Sequence, residues 1–320
     1  MDTSDWSQRH KQFNAALDAD QVERRAMLDG ASNIEAGIQD ERTVGVVDDA
    51  LVEKGNSWSE RQILLENLSG SVSEELGRRV QLMNGSYPFI LKDGSVKHVP
   101  SKTGVYEFCL AVARNPKGIA VGFPKASAIF EFISRDILTL HFGRGTYGFR
   151  AGAPIYDFEQ RGNCAKSTFE TLNQRCGEFR WSPAPGFPDE PSHKDLKDAG
   201  LDVVVWKPWP DGRQALFFAL GQCACGKNDI NVNKGRELSL RRLSNWLRPV
   251  SHATPLRCFL AAHHIPNSVA LHELSGEAGI VFDRARIGLI AESAPEFLAK
   301  SPEKIKFHEM AKLYATQPVA

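Results

Sequence analysis

Gly200-Leu-Asp-Val-Val-Val-Trp206 and, beyond Lys207-Pro-Trp-Pro-Asp-Gly212, Ala215-Leu-Phe-Phe-Ala-Leu-Gly-Gln222 are the stretches on which the reading turns. Both are short, apolar and rich in residues that suit a pleated surface, and the proline- and glycine-bearing segment between them is a turn. They are expected to form an antiparallel hairpin. Asp202 stands at the mouth of an otherwise apolar strand, where a carboxylate is costly unless it is paired or binds a cation. In a hairpin the start of the first strand lies opposite the end of the second, so Asp202 is expected beside Gln222. Two oxygen ligands then meet.

Working outward, Lys166 to Phe179 has Phe169, Leu172 and Cys176 at helical spacing, followed by the proline-rich, irregular stretch 182–191. After the hairpin, Leu240, Leu243, Trp246 and Leu247 mark a helix over about 237–248, and Leu256 to Ala262 reads as a further strand. Gly279 to Asp283 suggests another strand, with one or two helices to follow. Upstream, Ala126 to Phe142 reads as a helix, and the three glycines of Gly143-Arg-Gly-Thr-Tyr-Gly148 read as a linker. No Lys-Ser/Thr follows them, so a phosphate-binding P-loop is excluded. Residues 1–115 look helical, with Tyr106 to Ala113 as a buried helix and the stretch 86–95 as a connection carrying a turn. The expected organisation is a mainly helical domain over 1–150 and an α/β domain over 151–320.

The succession helix, strand with Asp202, strand with Gln222, helix, strand resembles the PD-(D/E)XK, or restriction-endonuclease-like, superfamily over about residues 160–265. That resemblance implies a central mixed sheet flanked by helices and a site that holds Mg²⁺ or Mn²⁺. Asp202, Gln222 and the carbonyl of Cys223 match the metal-binding positions. Glu170 matches an additional acidic position, with Glu178 as its competitor. One departure matters: the lysine expected two residues after Gln222 is replaced by Ala224, so Lys227 or Lys234 must supply the amine from a displaced position. The implied reaction is hydrolysis of DNA phosphodiester bonds by an endonuclease, with restriction or defence against foreign DNA as an extension. The rival expectation is a nuclease-like fold without catalysis, serving as a nucleic-acid-binding or scaffold subunit.

Composition constrains this further. The chain has 320 residues, enough for about two domains, and its 39 basic residues balance 39 acidic ones. Charge-driven binding must therefore be local. Residues 227–248 supply it, with Lys227, Lys234, Arg236, Arg241, Arg242 and Arg248 against Asp229 and Glu237. Arg236, Arg241, Arg242 and Arg248 are accordingly expected to contact the phosphate backbone of DNA. Six cysteines without a disulfide-type spacing, no signal-like start and no long apolar run predict a cytoplasmic protein without membrane association. The first domain is left as a surface for a partner protein.

Overall fold

The computed structural model describes residues 3–38, 58–118, 124–152, 166, 169–170, 177–189, 200–213, 215–226, 230, 232–251, 254–301 and 305–317. The chain divides into two compact units: Met1–Asn115 with His264–Ala270 and Arg284–Val319, and Pro116–His263 with Leu271–Asp283. The boundary expected at residue 150 therefore falls within the second unit. Pairing explains it: the strand ending at Arg150 is hydrogen-bonded to the Asp202 hairpin, and it carries the preceding helix into that unit.

The first unit contains the helices α1 (Thr3–Asp29), α2 (Ile34–Ile38), α3 (Trp58–Met83), α4 (Val105–Arg114), α8 (Arg284–Ser293), α9 (Pro295–Ala299) and α10 (Phe307–Thr316). It is not purely helical. Strands β1 (Ala31–Asn33), β2 (Phe89–Lys92) and β3 (Ser95–His98) form a sheet in the order β1-β3-β2. The turn foreseen near residue 94 is the tip of the β2–β3 hairpin, where Asp93 and Gly94 both take positive φ, the backbone twist that two-residue hairpins favour. Tyr106 to Ala113 is the buried helix it was expected to be, with every residue of α4 from Val105 to Ala113 out of solvent.

At the centre of this unit lies an ionic cluster. Arg79 on α3 is 1% exposed and bonds Asp20 and Glu23 of α1 at 2.8 Å and Glu75 of its own helix at 2.9 Å. Arg284, wholly buried, also reaches Asp20. Tyr87 and Tyr106 donate to Glu23. Ions taken out of water this far are tolerated because nearly every charge has a partner of opposite sign.

The second unit is built on a five-stranded sheet in the order β10-β9-β7-β6-β4, comprising β4 (Tyr147–Arg150), β6 (Val203–Lys207), β7 (Phe217–Ala224), β9 (Leu256–Ala261) and β10 (Ile280–Phe282). The β4–β6 and β6–β7 pairs are antiparallel, whereas β7–β9 and β9–β10 are parallel, so the sheet is mixed. Helix α5 (Ala126–Phe142) covers one face: Leu138 lies 3.2 Å from where a side chain at Gly221 would begin. The other face presents Val204, Trp206, Phe218 and Leu220, which pack with Phe149, Phe169, Leu238, Leu243 and Leu247.

Several expectations need correction here. Tyr147 and Gly148 begin β4 and are not part of the linker. Gly148 is required in a strand because a Cβ there would sit 2.5 Å from Arg135 and 2.8 Å from Thr139 of α5. Of the helix expected over 237–248 a single turn forms, α7 (Leu240–Leu243), preceded by another short turn, α6 (Val232–Gly235), and followed by a strand, β8 (Leu247–Pro249). Ser239 caps α7 by accepting from Arg242 N–H, and β8 pairs with β5 (Phe179–Trp181). Of the amphipathic stretch 166–179, residues 167–168 and 171–176 lie outside the described residues.

Candidate functional site

The β6–β7 ladder pairs Val204 with Leu220 and ends with Val203 on Gly221, which brings Asp202, the residue before β6, to the Gly221–Cys223 end of β7. Main-chain bonds lock that end of the sheet. Asp202 N–H donates to the Gly221 carbonyl at 3.0 Å, and its own carbonyl accepts from Ala151 N–H at 2.7 Å. The carboxylate turns inward, where Oδ2 accepts from Cys223 N–H at 2.7 Å. The residue preceding the strand matters too. Gly200 has φ +67°, and a Cβ on it would stand 2.9 Å from the Glu237–Leu238 backbone and 3.1 Å from Gln222 Nε2. Glycine permits both the left-handed backbone and the close approach.

Gln222 is 1% exposed. Its Nε2 donates to Glu237 Oε2 at 3.2 Å, and Lys234 Nζ bonds the same oxygen at 2.5 Å. The other end of the amide, Oε1, is buried without a hydrogen-bond partner. A carbonyl oxygen in that condition is costly and is suited to a ligand that accepts lone pairs.

A third acid enters from α5. Glu131 sits across from Arg150, the last residue of β4, with Nη1 to Oε2 at 2.7 Å. The Arg150 guanidinium lies 4.9 Å from the centre of the Phe132 ring. Gly152 leaves room for the pair, since a Cβ there would come within 2.5 Å of Arg150 Nη1 and 2.9 Å of Glu131 Oε2. Burial, followed by the nearby charge of Glu131, pushes the Asp202 carboxyl up to about 8; the Cys223 N–H and Lys234 oppose the rise, and Glu237 adds to it. The neighbouring Cys223 thiol is raised well above its ordinary range by burial and by the charges of Asp202 and Glu131, which makes it a poor nucleophile at neutral pH.

The site brings together Asp202, Gln222, Cys223 and Lys234. Glu131, which sequence reasoning missed, provides the acid from the helix before the sheet. The signal was present: Glu131 interrupts Ile129, Phe130, Phe132 and Ile133 in a helix whose remaining pattern is core-like. Glu170, expected in that role, is exposed at the surface beside the buried Phe169. Its competitor Glu178 is buried, but it binds Ala215 N–H and the Ser251 hydroxyl near the opposite end of β7. Lys227 lies outside the described residues. Of the four arginines expected to contact phosphate, Arg236 is committed to Glu277 at 2.7 Å, whereas Arg241, Arg242 and Arg248 are exposed.

Among the described residues, no three His, Cys, Asp or Glu side chains are grouped so as to hold a metal ion. A divalent ion here would therefore depend on Asp202, the Gln222 amide oxygen, a main-chain oxygen and water. This donor set suits Mg²⁺, which commonly keeps several waters and takes one or two carboxylates. The orphaned Gln222 Oε1 and the disfavoured Asp202 anion fit such an ion, because a cation would satisfy the first and stabilise the second. Among the described residues, no helix is long and apolar enough to cross a membrane. No family model, curated protein or solved structure matches the chain.

Proposed function

We propose that the second unit is a metal-dependent endonuclease of the PD-(D/E)XK type that hydrolyses DNA phosphodiester bonds, with restriction or defence against foreign DNA as its setting. The observation that carries this reading is the inward carboxylate of Asp202, held by Cys223 N–H, at the strand end that also bears Gln222, whose buried Oε1 has no hydrogen-bond partner. The mixed order of the sheet, with a helix bearing Glu131 just before its first strand, supports it.

When bound, Mg²⁺ or Mn²⁺ supplies an activated water and offsets charge at the scissile phosphate. Asp202 and Gln222 hold and orient the ligand oxygens, and the Cys223 N–H fixes the rotamer of Asp202. Lys234, whose charge acts on Asp202 and which is bound to Glu237, takes the place of the lysine missing at Ala224. In the reaction the water oxygen loses a proton to solvent and bonds to phosphorus while the bond to the leaving alcohol oxygen breaks, and that oxygen takes up a proton from solvent.

Incubating supercoiled plasmid and linear single-stranded DNA with the protein and Mg²⁺, with a chelator control, tests the reading. Metal-dependent cutting that disappears in Asp202→Ala is the expected result; equal cutting by that variant removes Asp202 from the chemistry.

A second reading, a catalytically silent nucleic-acid-binding or scaffold subunit, is favoured by Ala224. That residue is 1% exposed at the position where the amine is expected. It predicts DNA binding without cutting, and no Mn²⁺ site by calorimetry.

A further inference from the structure

Strands β5 and β8 form an isolated two-stranded ribbon in which Phe179 faces Pro249, Arg180 faces Arg248 and Trp181 faces Leu247. Alternation along the strands sorts these residues. Phe179, Trp181 and Leu247 pack against the apolar face of the sheet, with the Phe179 ring 4.9 Å from that of Phe218. Arg180 and Arg248 point the other way and are exposed.

Two like charges directly opposite one another in an antiparallel pair stand about 5 Å apart at Cβ and destabilise it. No acid relieves them: among the described residues neither Arg180 nor Arg248 forms an ion pair, and the nearby Asp189 is bound to Lys166 at 2.5 Å. Arg241, exposed on α7 a few residues before β8, is likewise without an ion pair among the described residues. A self-repelling pair of guanidiniums on a ribbon anchored by aromatic residues is a surface that a phosphate anion would stabilise.

We propose that Arg180 and Arg248, flanked by Arg241, form a clamp for the backbone phosphates of duplex DNA, outside the acidic pocket. This rests on the nucleic-acid reading of the second unit and adds Arg180 to it. The placement sets the kind of substrate. The ribbon packs on Phe218, four residues from Gln222 along the same strand face, which is about 13 Å at ~3.3 Å per residue. A phosphate held by the clamp is thus several nucleotides from one held at Gln222, so the surface serves a polymer and not a small phosphodiester.

The test measures binding of a fluorescent 20-base-pair duplex in chelator, over a range of salt concentrations, for the full chain and for Arg180→Gln, Arg248→Gln and Arg180→Lys. Each phosphate interaction that a Gln substitution eliminates should reduce the slope of log affinity against log salt by about 0.9, equivalent to roughly eightfold weaker binding at 0.1 M salt. Arg180→Lys should keep the slope. Both Gln variants should melt at or above the wild-type temperature in low salt, because a repulsion has been removed. An unchanged slope and affinity in folded Gln variants overturns the proposal. So does a drop in melting temperature of several degrees, which would make the pair structural, or a requirement for the arginines only on anionic phospholipid vesicles. Hydrolysis with Mg²⁺, measured in parallel, keeps the two readings apart: binding that needs Arg180 without any cutting leaves the clamp standing and removes the nuclease, and Asp202-dependent cutting with Arg180-independent binding does the reverse.

Discussion

Replacing Asp202 by Asn should make the metal-free protein more stable at neutral pH. The amide keeps an oxygen to accept from Cys223 N–H but cannot carry the charge that burial and Glu131 oppose. In the wild type the unfolded carboxyl titrates near 3.8 and the folded one near about 8, so the native state holds more protons between these values. Wild-type stability relative to the variant therefore falls with rising pH over that window, by about 1.4 kcal/mol per pH unit, and levels off above it. At pH 7 the full difference would be about 4 kcal/mol. Asp202 is partly exposed, and solvent screening brings the working magnitude to about 2 kcal/mol. Urea unfolding in chelator at pH 5, 7 and 9 should show the advantage of Asp202→Asn growing from the first to the second and flattening by the third. Millimolar Mn²⁺ should restore the wild type and leave the variant unmoved, because an ion that binds only the native state adds stability by mass action. An advantage that is absent, or that is constant across pH, refutes the reasoning about the buried acid.

Gly200→Ala should cost about 2 kcal/mol or more by chemical denaturation, since it combines a left-handed backbone with a Cβ 2.9 Å from the Glu237–Leu238 main chain. Gln222→Glu adds an anion beside Asp202, so Mn²⁺ affinity by calorimetry should rise by about tenfold while the metal-free form loses stability. Arg79→Met removes the cation that Asp20, Glu23 and Glu75 share in the interior of the first unit, leaving Arg284 as the buried guanidinium beside Asp20, and should lower the unfolding free energy by about 3 kcal/mol, measured by urea titration.

Strands β6, β7 and β9 were legible because runs such as Val203–Trp206 and Phe217–Leu220 are apolar on both faces, as strands covered on both sides of a sheet must be. Asp202 was legible for the converse reason: a charge in such a run has to be explained. Strand β4 was hidden because Gly148, read as a loop residue, is there to let the Arg135 and Thr139 side chains pass, a requirement that exists only after α5 has docked. Glu131 shows in the sequence as a charge among apolar neighbours, but its role does not, since its partner Arg150 belongs to the strand that was missed. The helix expected over 237–248 failed where Leu247 pairs with Trp181 across the β5–β8 ribbon, a pairing that local periodicity does not encode. Arg180 was passed over because only the facing Arg248 gives it meaning.

The ionic cluster of the first unit joins residues far apart in the chain: Asp20 and Arg284 are separated by 264 positions. On the ribosome, which releases a chain from its N-terminus onward, Asp20 must wait beside Arg79 while the whole β4–β10 sheet emerges before its second guanidinium arrives. The sheet is therefore free to mature during synthesis, and closure of the first unit around Arg284 follows the emergence of the sheet.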